Sequence, residues 1–318
     1  MQTSGNSMDT LASSLHVGTE VSEYVSFLRR RSSTFPLRSS SVSTYRECPK
    51  KAYYLYIEGL RIPPSPSMAV GTATHETNAW MLRPTIENKP LPTLEEVQDT
   101  ARDQAQKIIG EVDFHGEQEE KAPFHDRVVA LSSAYRESVA PDLQPLEVET
   151  LFELEVNGLP LTGTLDLLSK DGIHDTKTTR MTPPRQGDPK HLFQMGFYGL
   201  AKPHATSATL DYLQWSERST RATKANGGIK ELIRTVKHVP VRVPQSVLIE
   251  ESTMALQSAQ YVYEETQAGR FPRNPSACTS SWGRPCQFMG ICMPWRASIA
   301  EHALIQNDSL LKQRSLST

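Results

Sequence analysis

The spacing of hydrophobic residues divides the chain into a helical N-terminal part and a part that begins with β-strands. Apolar residues at three- and four-residue spacing predict amphipathic helices, and alternation of apolar and polar residues predicts half-buried strands. The predicted helices cover about residues 43–56, 68–82, 94–109, 121–140, 191–201 and 245–268. The predicted strands cover residues 147–156, 159–169, 172–178, 208–215 and 232–243.

This order of elements predicts an α/β domain with a central mixed β-sheet flanked by helices. The dipeptides Asn157-Gly158 and Asp171-Gly172 are typical of two-residue turns between antiparallel strands. Residues 1–40 are rich in Ser and Thr and are expected to form a flexible segment. The domain is expected to span residues 41–296, and residues 297–318 are expected to form a tail.

Composition places the chain among ordinary globular proteins. It has 318 residues, of which 37% are hydrophobic and 22% are charged. No apolar run approaches the ~20 residues of a membrane-spanning helix, and the first twenty residues lack the basic start and apolar core of a secretion signal. We therefore expect a cytoplasmic protein with no membrane partner, in the host cytoplasm if the chain is phage-encoded.

The net charge of −2 gives no global positive field, so DNA would have to be bound by local clusters of cations. Charge clusters are usually solvated faces, and these clusters are consistent with DNA binding without demonstrating it. One of them consists of Lys177, Arg180, Arg185 and Lys190.

The most informative stretch joins Asp166 in one predicted strand to Asp175 and Lys177 in the next. Because side chains alternate along a strand, Asp175 and Lys177 share a face. A two-residue turn at Asp171-Gly172 would place Asp166 opposite Lys177, and a four-residue loop would place it opposite Asp175. Either register puts the three groups on one face.

Two carboxylates beside an ammonium group suit the hydrolysis of a phosphodiester. Carboxylate oxygens bind Mg²⁺ or Mn²⁺, the ion activates a bound water, and the lysine can orient that water. The alternative interpretation is a surface hairpin with a cross-strand Asp–Lys pair, which contributes about 0.2–1 kcal/mol. Asp166 argues against that alternative because it lies in a Leu-rich strand, where an unpaired carboxylate is costly.

The cysteines form a second pattern, since three of the four fall within fifteen residues. Four thiolates match the ligand number of a [4Fe–4S] cluster or of a Cys₄ Zn²⁺ site, and the absence of a C-x-x-C spacing favours iron–sulfur. The alternative is four unrelated buried thiols. A shared centre would connect the N-terminal helix to the C-terminal segment. The four residues are Cys48, Cys278, Cys286 and Cys292.

Together these pieces resemble the RecB-like branch of the PD-(D/E)xK nuclease superfamily, and within it the iron–sulfur nucleases. That group includes the AddB nuclease domain, CRISPR-adaptation exonucleases and phage exonucleases. The resemblance covers about residues 41–296, and its six motifs follow the family's order. They are residues 41–49 with the first cysteine, Gly71-x-x-x-His75, Gly163-Thr164-Leu165-Asp166, Asp175-Thr176-Lys177-Thr178, Gln194-x-x-x-Tyr198 and the C-terminal cysteine trio.

The resemblance implies a restriction-endonuclease-like core and a role for each matched residue. Taken by itself, a helical histidine such as His75 is more often solvated than a metal ligand, and its assignment comes from the pattern. The implied site consists of the metal ligands His75, Asp166, Asp175 and the backbone carbonyl of Thr176, the catalytic lysine Lys177, and the DNA-contacting residues Gln194 and Tyr198.

Two features depart from the family's pattern. The second acid is Asp175, where Glu is common, and the superfamily accepts either. The gap from Cys278 to Cys286 is longer than in the CRISPR-associated members, which favours a phage or recombination nuclease. The sequence has no G-x-x-x-x-G-K-[ST] motif, so a helicase or recombinase partner would be a separate protein.

The expected function is therefore a Mg²⁺- or Mn²⁺-dependent DNA exonuclease for end processing in recombination, repair or phage replication. One alternative is a catalytically silent DNA-binding or scaffold member of the same fold, and another is an endonuclease. A homo-oligomer is a candidate assembly, since rings favour processive digestion.

Overall fold

The computed structural model describes residues 34–114, 121–219, 232–279 and 285–293. The expected flexible segment, apart from residues 34–40, and the expected tail lie outside the described residues. The fold begins before the predicted position Ser41. Leu37 is 1% exposed and forms a bridge to Leu161, and the first described helix begins at Ser39.

The first predicted helix is broken at Cys48. Helix α1 spans Ser39–Glu47 and helix α2 spans Pro49–Ala52, followed by a π-helical turn over Tyr53–Ile57. Cys48 has an extended backbone, with φ −156° and ψ 106°, because the ring of a following proline disfavours the helical region. The prediction of one continuous helix is therefore wrong, and Pro49 is the reason.

Three longer helices pack together on one face of the sheet. Helix α3 spans Pro66–Ile86, α4 spans Leu94–Ile109 and α5 spans Lys121–Ser138. Helix α4 begins with a capping box, in which Thr93 and Glu96 each accept a hydrogen bond from the other's backbone N–H. The buried side chains of these helices form one apolar cluster with side chains of β1, β2 and β4.

The central sheet has the strand order β1-β2-β3-β4-β5 in the described part of the chain. The pairing of β3 with β4 is parallel, and the other three pairings are antiparallel. The predicted mixed sheet with flanking helices is confirmed. The strands are β1 Pro145–Val156, β2 Leu159–Ser169, β3 Gly172–Thr179, β4 Ser207–Ser219 and β5 Leu232–Pro244.

The first hairpin turn lies where the sequence places it, and the second is shifted by one residue. Asn157 and Gly158 both have positive φ, 53° and 80°, as a type I′ turn requires. In the second hairpin, Ser169 pairs with Gly172, so the loop is residues 170–171 and not Asp171-Gly172. Gly172 belongs to the strand, and the position requires glycine because a Cβ would collide with the Ser207 carbonyl.

Two helices cover the other face of the sheet. Helix α6, Pro189–Ala201, connects the parallel strands β3 and β4, and helix α7, Gln245–Gln267, follows β5. The two helices cross closely at Gly196, where a Cβ would collide with the backbone carbonyl of Glu251. The last described element is the short helix α8, Met289–Cys292. Among the described helices, none has the length and apolarity to cross a bilayer.

We expect Gly196→Ala to lower the free energy of unfolding by about 1–3 kcal/mol, because the added methyl group would push α6 away from α7. Urea unfolding followed by circular dichroism measures this change. Gly110→Ala is the control, since Gly110 ends α4 with φ −68° and a Cβ there would meet no atom within 4 Å. Equal stability of the two variants would contradict the close helix crossing.

Candidate active site and metal centre

The candidate site forms where β2 and β3 separate. The two strands pair over three positions next to their turn, ending at Leu167 and His174, and β3 then continues as the parallel partner of β4. Asp166 and Asp175 are the next residues along each strand. Extending the register by one pair places Asp166 opposite Asp175, and their carboxylates meet in the gap. This is the register that was predicted for a four-residue loop, but the loop itself has two residues.

A tyrosine from α6 connects the two carboxylates. The hydroxyl of Tyr198 lies 3.0 Å from Asp166 Oδ1 and 3.5 Å from Asp175 Oδ1. Burial, reinforced by the two negative charges, raises the pKa of Tyr198 well above its usual value. The hydroxyl therefore stays protonated and donates a hydrogen bond to the acidic pair.

Lys177 reaches the same pair along β3. Its Nζ lies 3.0 Å and 2.8 Å from the two carboxylate oxygens of Asp175 and donates to Gln194 Oε1 at 2.8 Å. Gln194 in turn donates to the Tyr198 hydroxyl at 2.5 Å. Burial would lower the pKa of Lys177, but the charges of Asp175 and Asp166 outweigh it and raise that pKa. The ammonium group is thus held in a fixed place and remains charged.

His75 approaches the gap from α3. Its Nδ1 lies 3.2 Å from Asp166 Oδ2, so the helical histidine lies beside the first acid, as the sequence predicts. Burial would lower the pKa of His75, but the charge of Asp166 and the hydrogen bonds to Asp166 and Glu149 raise it to about 10. A metal ion would replace this proton, because only a neutral imidazole can be a ligand.

Glu149 on β1 joins the site, and the sequence analysis missed it. Its Oε1 lies 3.8 Å from His75 Nδ1, and ligand atoms of His75, Glu149 and Asp166 all lie within 4.8 Å of one another. A signal existed: the turn at Asn157-Gly158 fixes a register in which position 149 faces position 166. Because several other acidic residues lie along this strand, the sequence alone does not distinguish Glu149 from a solvated side chain.

The backbone of Glu149 is also unusual. Its φ is +47°, a left-handed conformation that costs on the order of 1 to 3 kcal/mol in a non-glycine residue. The neighbours Val148 and Thr150 pair with β2 while position 149 does not. The surrounding strand pairs therefore hold this residue in a strained conformation that brings its carboxylate to the site.

The electrostatics of the gap fit a cation. Burial and the nearby charge of Asp166 outweigh Lys177 and raise the pKa of Asp175 to about 7, and this carboxylate is 1% exposed. Burial would also raise the pKa of Asp166, but His75 lowers it to about 2. Asp166 Oδ2 is buried, and Nδ1 of His75 lies 3.2 Å from it. A divalent ion would relieve the repulsion between the carboxylates.

The reverse side of β3 carries a second polar network. Thr176 lies between Asp175 and Lys177 and is buried, with its side chain on the opposite face because strand residues alternate. On that face, Asp211 accepts hydrogen bonds of 2.8 Å from His174 and from His238. This network connects β3, β4 and β5 directly behind the site, and the sequence analysis did not identify it.

The four cysteines line one small cavity between the α1–α2 break and the C-terminal segment, and none of the four forms a disulfide. Two hydrogen bonds fix the segments to each other: Asn274 Nδ2 donates to the Glu47 carbonyl at 2.8 Å, and the Lys50 N–H donates to the Pro272 carbonyl at 3.1 Å. Cys48 is thus brought close to the three C-terminal cysteines, as predicted.

The four thiols affect one another electrostatically. Burial raises the pKa of the Cys292 thiol, and the other three cysteines add to the shift against the effect of Arg273. Four thiolates would repel one another here without a positive centre.

Comparison with known proteins identifies a family. The model of the PD-(D/E)XK nuclease superfamily matches residues 38–293. No curated protein matches the sequence. A Eubacterium rectale protein named "putative exonuclease" has a solved structure with a TM-score of 0.48 and 12% identity, covering 81% of this chain and 93% of its own. The structure of a protein named SSO0001 has a TM-score of 0.22 and 14% identity, covering 52% and 87%. At these values neither structure bears on the reaction.

We expect Glu149→Gln to weaken the binding of Mn²⁺ by about tenfold or more, because the variant removes a negative charge beside His75 and Asp166. Isothermal titration calorimetry measures the dissociation constant. The control is Glu153→Gln, an exposed position on the same strand, which is expected to bind Mn²⁺ like the wild type. If Asp166→Asn abolishes binding while Glu149→Gln leaves it unchanged, Glu149 has no part in the metal site.

Proposed function

The chain belongs to the PD-(D/E)XK nuclease superfamily, and we propose that it is a Mg²⁺- or Mn²⁺-dependent deoxyribonuclease that digests DNA from its ends. The observation that carries the proposal is the convergence of Asp166, Asp175 and Lys177 where β2 and β3 separate. A bare surface hairpin would not bury an acid such as Asp175 to 1% exposure or surround it with further polar groups.

The proposed metal ligands are the groups that line the gap. A bound ion supplies a Lewis acid for the phosphate and lowers the pKa of a coordinated water. Asp175 presents a carboxylate that Lys177 already orients, and Asp166 presents a buried oxygen beside the imidazole of His75. The proposed set is His75, Glu149, Asp166, Asp175 and the backbone carbonyl of Thr176.

Lys177 is the proposed catalytic cation. Its Nζ is held between Asp175 and Gln194, so it can donate a hydrogen bond to the attacking water or to a phosphate oxygen without a large rearrangement. The raised pKa keeps it charged at neutral pH, where a positive charge stabilises the negative charge that grows on the phosphate. Gln194 and Tyr198 hold this lysine and the acids in place and are proposed to contact DNA.

The cysteine cavity is proposed to hold a [4Fe–4S] cluster bound by Cys48, Cys278, Cys286 and Cys292. One observation supports it: all four thiols line the same cavity. A cluster takes four thiolates as ligands. Its proposed role is to join the N-terminal helices to the C-terminal segment.

We expect Lys177→Ala and Asp166→Asn to reduce Mn²⁺-dependent cleavage of end-labelled DNA by about a hundredfold or more, because each removes a group that acts on the reacting phosphate or its metal. Gel analysis of 5′- and 3′-labelled single- and double-stranded DNA measures the rates. Lys170→Ala is the matched control, an exposed lysine in the turn of the same hairpin, and is expected to leave the rates unchanged.

Three outcomes would change this proposal. Cleavage that survives both substitutions would show that the reaction occurs elsewhere. Digestion of a closed circle would indicate an endonuclease. An absence of cleavage by the wild type on every substrate would favour a catalytically silent DNA-binding protein.

We expect anaerobically purified protein to be brown, with absorbance near 400 nm and about four iron atoms per chain. Cys286→Ser is expected to lose the colour and the iron, because it removes one ligand. The control Ser276→Ala changes an exposed residue nearby and is expected to keep both. A colourless protein that contains zinc would reject the iron–sulfur cluster.

A further inference from the structure

The face of the sheet that carries Lys177 continues onto β4, where it meets a histidine of α6. Lys177 pairs with Tyr212 in the parallel register of β3 and β4, and paired residues of neighbouring strands point to the same face. Lys177 donates to Gln194 of α6 at 2.8 Å. The Tyr212 hydroxyl lies 2.9 Å from His191 Nδ1 on the same helix. His191 precedes Gln194 by three residues, so the two are neighbours on one side of α6.

The Tyr212 hydroxyl fixes which nitrogen of the imidazole carries the proton. This hydroxyl accepts a hydrogen bond from the Asp188 N–H at 3.1 Å, so its own proton remains to be donated. Its other hydrogen-bond partner among the described residues is His191 Nδ1. Tyr212 is 2% exposed, and a buried hydroxyl without an acceptor is costly. Nδ1 is therefore the acceptor, and the neutral ring carries its proton on Nε2.

His191 is neutral at physiological pH. Burial lowers the pKa of His191 to about 4; the charges of Lys177 and Lys190 add to this effect, and the charge of Asp188 opposes it. Burial also raises the pKa of Tyr212, so its hydroxyl keeps the proton that it donates. A neutral imidazole does not repel the ammonium group of Lys177, and the two groups can lie beside the same substrate.

The Nε2–H group of His191 is a donor that no described residue uses, since the contacts of this ring give a hydrogen bond to Nδ1 alone. The side chain is only partly buried, so a ligand can reach it. The next residue, Lys190, is an exposed cation, whereas the carboxylate of Asp188 is occupied by the Lys190 N–H at 2.8 Å. A hydrogen-bond donor between two lysines suits an anionic oxygen, and phosphates provide most of the acceptors that DNA offers to proteins.

We propose that His191 binds the DNA substrate by donating a hydrogen bond from Nε2–H to a phosphate next to the one that is cut. Along α6, Tyr198 contacts the acids and Gln194 contacts Lys177. His191 comes next, roughly 10 Å from Tyr198 along the helix axis. It is therefore placed to reach the neighbouring phosphate rather than the one on which Lys177 acts. Tyr212 is the positioning residue that holds the ring and its tautomer. This inference rests on the proposed nuclease function and adds a residue that binds its substrate.

The first test measures binding without cleavage, in Asp166→Asn protein and with a fluorescent DNA of the kind that the wild type cuts. Adding His191→Phe is expected to raise the dissociation constant, measured by anisotropy, about tenfold, because a hydrogen bond to a charged group is lost. Adding His191→Gln instead keeps an N–H donor at a similar distance and is expected to recover most of the affinity. The control is His204→Phe, an exposed histidine past the other end of α6, which is expected to leave the affinity unchanged.

The second test locates the contact on the DNA. A set of oligonucleotides carries one neutral methylphosphonate, placed at a different phosphate in each. At one phosphate, this replacement is expected to weaken binding by the Asp166→Asn protein about tenfold. The same replacement is expected to cost the protein with the added His191→Phe nothing further, because the contact is already absent. A purely structural effect of His191→Phe would leave the replacement equally costly in both proteins.

The third measurement reports on the tautomer. Proton–nitrogen correlation NMR of protein with nitrogen-15-labelled histidine is expected to show the neutral Nε2–H form of His191 at about pH 6. Tyr212→Phe removes the donor to Nδ1 and is expected to let both tautomers appear. The same variant is expected to weaken DNA binding by part of the loss seen with His191→Phe. A wild-type ring with its proton on Nδ1 would contradict the proposal.

Three further results would overturn it. One is unchanged affinity in the His191→Phe protein, and another is an equal cost of the methylphosphonate in both proteins at every phosphate. The third is a salt dependence of binding that becomes shallower by about one ion in the His191→Phe protein, since that would show that His191 binds as a cation. An absence of cutting by the wild type on every DNA would instead count against the nuclease proposal, so the two failures are distinguishable.

Discussion

The separation of β2 from β3 is the constraint on which the candidate site depends. Three residue pairs hold the strands together at their turn, and β3 then satisfies its backbone hydrogen bonds with β4 instead. The gap that opens has no ladder of hydrogen bonds across it, so side chains fill it. Asp166 and Asp175 occupy it from the two strands, and α3, β1 and α6 can each bring one or more further groups to it.

Charge gives this gap its chemistry. Burial, together with the charge of Asp166, raises the pKa of Asp175 although Lys177 lies beside it. The acidic residues stay close together because packing on both faces of β3 holds them in place. Helix α6 is fixed against α7 at Gly196 and presents its polar residues to the acids, while His174 and His238 bind Asp211 on the reverse side of the sheet. Both faces of β3 are thereby held in position, which is the preorganisation that metal-assisted hydrolysis needs.

The cysteine cavity depends on a similar local interruption. Pro49 forces Cys48 out of the helical conformation, and the break between α1 and α2 then faces the C-terminal segment, where Asn274 donates a hydrogen bond to the Glu47 carbonyl. Had the helix been continuous, Cys48 would have been one more residue on a helix face. The break is therefore what allows a distant cysteine to line the same cavity as the later three.

The sequence by itself indicated most of the helices and strands, the mixed sheet, and the shared face of Asp175 and Lys177. These follow from local properties: residue spacing, the turn at Asn157-Gly158, and the alternation that puts Asp175 and Lys177 on one face. The register set by that turn also points position 149 toward position 166, although the two do not pair in the sheet. Tertiary structure alone decided that β3 leaves β2, that the turn between them lies at residues 170–171, and that His75 reaches Asp166. Each of these depends on contacts between residues far apart in the chain, and local patterns carry no information about such contacts until the chain has folded.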